Sequence, residues 1–469
     1  MNKEQLKNYF EKIAGKREYY RKKNHYYYED LENYLHFIVP NGKTILELGC
    51  GTGHTLAALN PNLGVGIDFS EKMIEIAKKN FPKHNFFVQN AENLKIREKF
   101  DYIIVSDLVG FLTDVQLFLE NLKPLCHDST RLVFTYYNWL WQPALKIAEF
   151  FRLKSKQPIQ NWLNKQDLKN FLYLAGFESI RAEARFLFPV KVPIISWLIN
   201  KYLAKLPIIN KLCLVNYLIV RKSPENQNVN YSVSVIVPTR NEAGTIEEAV
   251  KRIPEMGSST EIIFVEGNST DTTLEKIKEV ITKYRSTHNI KYFVQNGKGK
   301  GDAVRKGFSE ATGEILMILD GDLTVMPEEL SKFYQALALR KGDFINGSRL
   351  VYPLEKQSMR YLNMMGNKFF SLMFSWILGQ RIKDTLCGTK VMFKKDYLEL
   401  ARNRGYFGNF DPFGDFDLIF GAYKLNLKLI DLPIRYQERK YGTTNIHRFR
   451  HGWLLIKMLV FVLNKIKFI

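Results

Sequence analysis

Short, nearly continuous apolar runs punctuate the chain, and between them apolar residues recur at helical spacing. Such runs fit strands covered on both faces, which read as unbroken apolar segments rather than as strict alternation. In the first half they predict strands at 44–48, 63–67, 86–89, 101–105 and 131–136, with two more around 177–186 and 213–221. The series then breaks: residues 223–230, SPENQNVN, are polar and turn-rich, which marks a linker. Directly after it the pattern restarts, with strands predicted at 232–237, 261–265, 291–294, 315–319 and 343–347. Strands alternating with helical stretches imply α/β units with mainly parallel sheets. Residues 1–222 and 231–469 are therefore read as two such domains.

Composition agrees. At roughly 100–200 residues per domain, a chain of 469 residues holds two to four domains, and 46% hydrophobic residues excludes a disordered or fibrous protein. Lys and Arg number 68 against 48 Asp and Glu, a net charge of +20, which points to partners carrying phosphate or to an anionic membrane surface. The excess is local. Residues 151–222 hold 13 basic against 3 acidic side chains and residues 432–469 hold 8 against 1, whereas the rest is near balance. No zinc-finger, helix-turn-helix or RNP signature accompanies either patch, so nucleic acid is disfavoured as a partner. Cys50, Cys126, Cys213 and Cys387 form no C-x-x-C pair, which fits a reducing cytosol rather than a disulfide framework or a zinc site.

The opening residues lack the apolar core of a signal peptide. Trp453 to Ile469 carries Lys457, Lys465 and Lys467 and is shorter than the about 20 apolar residues that a spanning helix needs. The expectation is a cytoplasmic protein, soluble or peripheral at the inner face of the membrane. In the tail, Trp453, Leu454, Leu455, Met458, Leu459, Phe461, Val462 and Ile466 form a wide apolar surface with the lysines at its border. It is read either as docking on anionic lipid or as a helix packed on its own domain. FLFPVKVPIISWLINKYLAKLPIINK, residues 186–211, has the same mixed character and two readings: an interfacial helix or aliphatic-substrate lid, or packing against the second domain.

Candidate chemistry in the first half starts where KTILEL runs into GCGTGHTLAAL, so that Gly49, Gly51 and Gly53 occupy a strand-to-helix turn. Glycine there permits positive φ and close approach of a ligand to the backbone. GIDFSEKMIEIAKKN adds Asp68 at the end of the next strand, where a carboxylate can accept two ribose hydroxyls. With Asn90-Ala91-Glu92 and FDYIIVSD at 100–107, residues 1–222 resemble a class I S-adenosylmethionine-dependent methyltransferase, CLVNYLIVR at 213–221 standing for the family's late antiparallel strand. The resemblance implies a Rossmann-like fold in which Glu47, Gly49, Gly51 and Gly53 face the methionine part of the cofactor. It places Asp68 on the ribose, Ala91 and Glu92 on the adenine, and Asp107 at the substrate side. Methyl transfer is largely positioning, and no base is assigned. His54, His84 and His127 are read as ordinary histidines, and Tyr136, Tyr137, Trp139 and Trp141 as packing residues.

In the second half SVSVIVPTRNEAGTIEEAV sets Pro238, Asn241 and Glu242 between a strand and a helix, and EIIFVEGNSTDTTLEKI repeats the plan with Glu266 and Asp271. Asp320 and Asp322 follow the buried run ILMIL. Two carboxylates at i and i+2 can share one hard divalent cation and leave its other positions to diphosphate oxygens and water. In this order the elements resemble a family 2 glycosyltransferase of the GT-A fold, nearest in pattern to the dolichyl-phosphate mannose or glucose synthases, from 231 to about 455. By that resemblance Pro238, Asn241, Glu242, Glu266 and Asp271 lie on the nucleotide side, Asp320 and Asp322 hold Mg²⁺ or Mn²⁺, and Lys300 and Arg305 lie near a UDP- or GDP-linked sugar. DTLCGTK, with Asp384, Gly388 and Lys390, falls on the acceptor side, and DPFGDFDL at 411–418 offers Asp415 or Asp417 as general base. Arg439 and Lys440 belong to a loop that closes on phosphates. Glu266 stands where the family usually has Asp. Blander readings stand beside these: the aspartates of 411–417 can cap a helix, Lys298 and Lys300 can be a solvated loop, and Cys387 a small packed residue.

The reading is a bifunctional transferase with a polyprenyl phosphate or a glycan as sugar acceptor. The competing readings are a glycosyltransferase carrying a non-catalytic S-adenosylmethionine-binding scaffold, and a nucleic-acid methyltransferase.

Overall fold

The computed structural model describes residues 3–225, 229–352, 361–406, 415–439, 441 and 448–469. It divides into two units, Met1–Ser223 with Phe468–Ile469, and Pro224–Lys467.

The first unit runs α1 (Lys3–Lys23), α2 (His25–Ile38), β1 (Thr44–Leu48), α3 (His54–Ala58), β2 (Leu63–Asp68), α4 (Glu71–Asn80), β3 (Asn85–Val88) and β4 (Phe100–Ser106). It continues with α5 (Val115–Glu120), β5 (Cys126–Tyr137), α6 (Gln142–Phe150), α7 (Lys165–Leu174), β6 (Phe177–Arg185), α8 (Ile195–Lys201) and β7 (Val215–Lys222). The described strands form one sheet in the order β3-β2-β1-β4-β5-β7-β6, parallel except that β7 opposes both β5 and β6. Successive strand residues face opposite sides: Leu46 and Leu48 of β1 join one core with Phe118 and Leu168, whereas Ile45 joins the other with Leu31 and Leu35. The second core explains α2, whose Tyr27, Leu31, Tyr34, Leu35 and Ile38 recur at helical spacing and are buried. Strand order reverses between β1 and β4, which opens a crevice at their carboxyl ends, the place where α/β sheets bind ligands.

The second unit runs β8 (Val233–Thr239), α9 (Ile246–Arg252), β9 (Thr260–Glu266), α10 (Thr273–Tyr284), β10 (Asn289–Val294), α11 (Lys300–Glu310), β11 (Ile315–Ile318) and α12 (Leu330–Ala338). Then come β12 (Phe344–Ser348), α13 (Tyr361–Leu378), β13 (Lys390–Phe393), α14 (Lys394–Arg402), α15 (Asp415–Lys424), β14 (Leu429–Pro433) and α16 (Arg448–Val462). The order is β10-β9-β8-β11-β13-β12-β14, with β13 antiparallel to β11 and β12. Its switch point lies between β8 and β11. Two strands absent from the pattern reading, β13 and β14, are only four and five residues long.

The tail is divided between two faces. Leu455, Met458, Leu459, Val462 and Ile466 are buried, while Trp453, Ile456 and Val460 are exposed. The buried five all belong to the apolar surface expected from the sequence, of which Trp453 stays outside, while Ile456 and Val460 are not part of it.

The loop before β13 is held by a buried ion pair. Asp384 has no exposed surface, and it accepts two parallel bonds from Arg349, Nε to Oδ2 at 2.7 Å and Nη2 to Oδ1 at 2.9 Å. Asn367 Nδ2 and the Leu386 N–H also donate to Oδ1. Burial works against the charge, but Arg349 prevails and holds the carboxyl down at about 2. Removing one partner leaves the other charge buried and uncompensated, so Asp384→Ala is expected to cost the second unit about 3–5 kcal/mol. Urea unfolding of the full chain, followed by tryptophan fluorescence, checks it.

Candidate functional site

In the first unit the chain turns sharply after β1, with Gly49 at φ +74°, Gly51 at +50° and Gly53 at +81°. A Cβ on Gly53 would stand 2.7 Å from the Phe86 ring, so the turn depends on glycine for conformation and for space. Asp68 ends β2 beside this turn. Its Oδ2 accepts the Gly51 N–H and its Oδ1 the Ser70 N–H, both at 2.9 Å. Burial raises its pKa, and those backbone donors oppose the rise. Gly49, Gly51, Asp68, Ala91, Glu92 and Asp107 all line one cavity of about 500 Å³.

Glu47 and Gly53 do not line that cavity. Glu47 is 2% exposed and its Oε2 accepts the Leu56 N–H at 3.0 Å, so it ties the first turn of α3 to β1. Burial pushes its pKa up to about 8. Glu92 lines the cavity but is occupied: Oε1 accepts the N–H groups of Thr113 and Asp114, and Oε2 pairs with Lys3 at 2.6 Å. Asp107 accepts the Tyr27 hydroxyl at 3.0 Å and is raised by burial.

The pattern reading gave α1 and α2 no part in the site. They supply Phe10, Arg17, Tyr27 and Tyr28 to the cavity wall. Lys3 on Glu92, Glu18 on His54, and Phe10 edge-on to Phe69 and Phe111 fasten α1 across it. The available signal was the aromatic and basic run KREYYRKKNHYYYED, residues 16–30.

In the second unit Asp320 and Asp322 lie just beyond β11. Asp320 pairs with Lys300 Nζ at 2.6 Å, and Arg439 bridges Asp322, Nη2 to Oδ2 at 2.7 Å, and Glu242, Nη1 to Oε1 at 3.2 Å. Glu242 Oε2 is buried without a hydrogen-bond partner. Burial pushes Glu242 up to about 7, Arg439 opposing and Asp322, Asp320 and Asp271 adding to it. Gly388 closes the floor, because a Cβ there would fall 2.1 Å from Asp320 Oδ2 and 2.4 Å from Lys300 Nζ. The loop DTLCGTK thus meets the two aspartates through its glycine.

Neighbouring candidates stitch the loops of this site. Asn241, at φ +56°, accepts the Thr270 N–H through Oδ1, Glu266 accepts the Ser269 N–H, and Asp271 accepts the Thr273 N–H. Pro238 carries the carbonyl that crowds Gly321. Arg305 pairs along its own helix with Asp302 at 3.7 Å. Asp384 and Lys390 are 0% and 1% exposed, the first spent on Arg349, the second donating to the Cys387 carbonyl, so both act on loop structure. Asp417 is buried and pairs with Arg404 at 3.5 Å. Asp415 opens α15, and Lys440 and Asp411 lie outside the described residues.

Two α/β domains, each with acidic side chains gathered where its strand order reverses, define a transferase built in tandem. Residues 20–182 match the family model "Methyltransferase domain" and residues 234–401 the model "Glycosyl transferase family 2". The chain thus carries, in this order, a region that matches methyltransferase domains and a region that matches family 2 glycosyltransferases. Glycosyltransferase AglJ of Haloferax volcanii is 26% identical over 226 residues, 48% of this chain and 69% of that protein. Dolichol-phosphate mannosyltransferase of Pyrococcus furiosus is 38% identical over 122 residues, which cover 25% of this chain and 33% of that protein. Among solved structures, an S-adenosylmethionine-dependent methyltransferase of Thermotoga maritima aligns with 45% of this chain and 97% of its own at a TM-score of 0.36 and 16% identity.

Glu47 gives a pH test of the first site. Its folded pKa, about 8, lies above the unfolded value of about 4.3. Its contribution is therefore intact below the unfolded pKa and is lost as pH rises toward 8. Glu47→Gln keeps an oxygen for the Leu56 N–H and removes the charge. Relative to wild type it is expected to gain about 2 kcal/mol or more at alkaline pH and almost nothing near the unfolded pKa, as read by melting temperature across pH in the full chain.

Proposed function

We propose that this chain transfers a methyl group from S-adenosylmethionine in its first unit and a sugar from a UDP- or GDP-linked donor in its second. The proposed sugar acceptor is a polyprenyl phosphate or a glycan. The observation that carries the reading is the gathering of Asp320, Asp322, Glu242, Lys300 and Arg439 at the β8/β11 switch point. The separate cavity beside Asp68 supports the methyl-transfer half. The dolichol-phosphate mannosyltransferases among the relatives favour a phosphate-bearing lipid as acceptor.

The residues fit both groups. Gly51 opens on free space, with nothing within 4 Å of an added Cβ, next to a carboxylate that lines the cavity, which suits a ribose beside the turn. S-adenosylmethionine bound there supplies an electrophilic methyl carbon. Asp68 orients the ribose, the glycine turn leaves room for the methionine part, and Ala91 bounds the adenine side. Asp107, with Tyr27 as its hydrogen-bond donor, holds the acceptor side.

In the second unit three carboxyl groups, Glu242, Asp320 and Asp322, face two cations, Lys300 and Arg439, and one Glu242 oxygen is left without a hydrogen-bond partner. That is the environment a divalent cation suits, and Asp320 and Asp322 would hold Mg²⁺ or Mn²⁺. Such a cation neutralises charge developing on a diphosphate leaving group. Arg439 and Lys300 bind the phosphates, Glu266 and Asp271 fix the loop on the nucleotide side, and Gly388 lets the acceptor-side loop lie directly against Asp320. Attack by an acceptor oxygen in a single displacement inverts the anomeric centre. For a hydroxyl acceptor Asp415 or Asp417 serves as general base. A phosphate acceptor arrives ionised, and the carboxylate then only orients it. No helix among the described residues is long and apolar enough to cross a membrane. Exposed Met365, Phe369 and Leu372 on α13, with Trp453, Ile456 and Val460 on α16, favour peripheral attachment to lipid.

Two measurements test the reading. Asp68→Ala is expected to weaken S-adenosylmethionine binding to the full chain by about 1.5–3 kcal/mol in calorimetry; no binding by wild type would overturn the methyl-transfer half. Hydrolysis of UDP- or GDP-sugars should require Mg²⁺ or Mn²⁺ and lose its metal response in Asp322→Ala. Full activity in excess chelator would remove the metal from the second site.

A further inference from the structure

We propose that the first unit works on an anionic lipid surface and takes as its methyl acceptor an amphiphile carrying a phosphate or carboxylate group, which enters between α6 and residues 186–195. This rests on the methyltransferase reading and names the acceptor that reading leaves open.

The cavity is longer than its cofactor side. Besides the residues of that side, Tyr137, Trp141, Leu145, Phe186 and Val190 line it. Arg17 and Lys154 lie in the same wall near Asp107. Lys154 is mostly buried, its pKa drawn down by burial, with Glu149 at 3.6 Å and the Tyr137 ring face 5.1 Å away. An aromatic and aliphatic trough with two cations at its inner end suits an apolar body with an anionic head.

Leu153 and Val190 of the lining lie in exposed apolar stretches, although Lys23, Gln157, Gln160 and Lys191 also line the cavity. On the α6 side Ile147, Phe150, Phe151 and Leu153 are 59%, 81%, 65% and 52% exposed. On the other side Val190, Ile194, Ile195 and Trp197 are 58%, 73%, 53% and 51% exposed. Scattered exposed apolar residues are ordinary, but contiguous ones flanking a cavity mouth mark an interaction surface. Ile194 adds a local cost, since it sits at φ +66°, a conformation that a β-branched residue rarely adopts. It nevertheless presents its side chain to the outside.

Charge identifies the occupant. No Asp or Glu occurs from 184 to 224, while Lys191, Lys201 and Lys211 lie among the apolar residues of 186–211; Lys205 is buried. Lys201 stacks over Trp197 at 5.1 Å and over Tyr202 at 5.8 Å. Lysine beside exposed indole and phenol rings is the composition of a membrane interface, where the rings lie at headgroup depth and each basic residue contributes about 1 kcal/mol toward anionic lipid. From 184 to 224 the charge is basic alone, which an anionic lipid surface complements, and Glu149 on the α6 side is paired with Lys154.

Flotation of the full chain with vesicles of phosphatidylcholine, with and without phosphatidylglycerol, tests the surface. The same series is run in a Trp453→Asp/Ile456→Asp background, so that α16 does not carry the signal. Binding should need phosphatidylglycerol and fall with salt. Phe150→Asp/Ile194→Asp should lower the partition by about tenfold or more, the scale of withdrawing two inserted apolar side chains. Its S-adenosylmethionine affinity should stay unchanged, which also reports that the variant is folded. Unchanged flotation of this variant, or self-association of wild type that the same substitutions abolish, would overturn the surface. For the acceptor, labelled methyl from S-adenosylmethionine should enter the chloroform-soluble fraction of a polar-lipid extract. Label confined to water-soluble products would overturn the amphiphile. Vesicle binding by a chain that binds no S-adenosylmethionine would overturn the methyltransferase reading, and the acceptor with it, while leaving the surface standing.

Discussion

Carboxylates buried at the carboxyl ends of parallel strands cost free energy unless something meets their charge, and both units are organised around meeting it. In the first, two backbone N–H groups of the turns after β1 and β2 point at Asp68. The glycines at positive φ follow from that requirement, because the Gly51 N–H reaches the carboxylate only if the chain turns back sharply after β1. In the second unit the charge is larger and the backbone does not suffice, so Lys300 and Arg439 are brought to Asp320, Asp322 and Glu242 from distant parts of the chain. A site whose cations come from separate loops can exchange them for a ligand or a metal ion without dismantling its strands.

The same arithmetic separates acids that can serve a ligand from acids that serve the fold. Asp384 has every oxygen occupied and its pKa held low by Arg349. Glu47 is bonded to α3 and pushed up. Neither offers a free lone pair to a cavity. Asp68 is also buried and Asp107 half-buried, but they line the open space. Burial alone does not distinguish the two groups; the direction from which the remaining lone pairs are reached does.

Much of this was legible in the sequence, for an identifiable reason. Apolar runs flanked by helices announce strands such as β1, β8 and β11, and acids placed directly after such runs must sit at the sheet edge. That logic located Asp68, Asp320 and Asp322. It failed where position depends on contacts distant in sequence. The four residues of β13 are strand only because β11 and β12 lie on either side. Glu47 lies on β1 one residue from a core leucine, and only the placement of α3 turns its carboxylate to the Leu56 N–H. The part of α1 and α2 in the cavity was hidden because a run of tyrosines, lysines and arginines is equally a solvated helix face until the sheet shows what lies beneath it.

The tail shows how far periodicity can decide between surface and core. Its apolar residues cover too much of a helix for one buried face, and the structure resolves the excess by burying Met458 and Val462 and exposing Trp453 and Val460. The segment 186–211 carries a similar excess with a different outcome: Phe186 joins a main core of the first unit and Ala204 a small cluster with Ala184 and Cys213, while Val190, Ile194, Ile195, Trp197 and Ile208 stay exposed. The remaining apolar side chains have too little protein behind them to be structural. Their concentration at the mouth of a cavity whose inner wall is also apolar makes the outer surface and the inner trough one continuous feature. A trough lined largely by aromatic and aliphatic side chains is a costly arrangement for a site serving a small polar acceptor, which water alone could deliver.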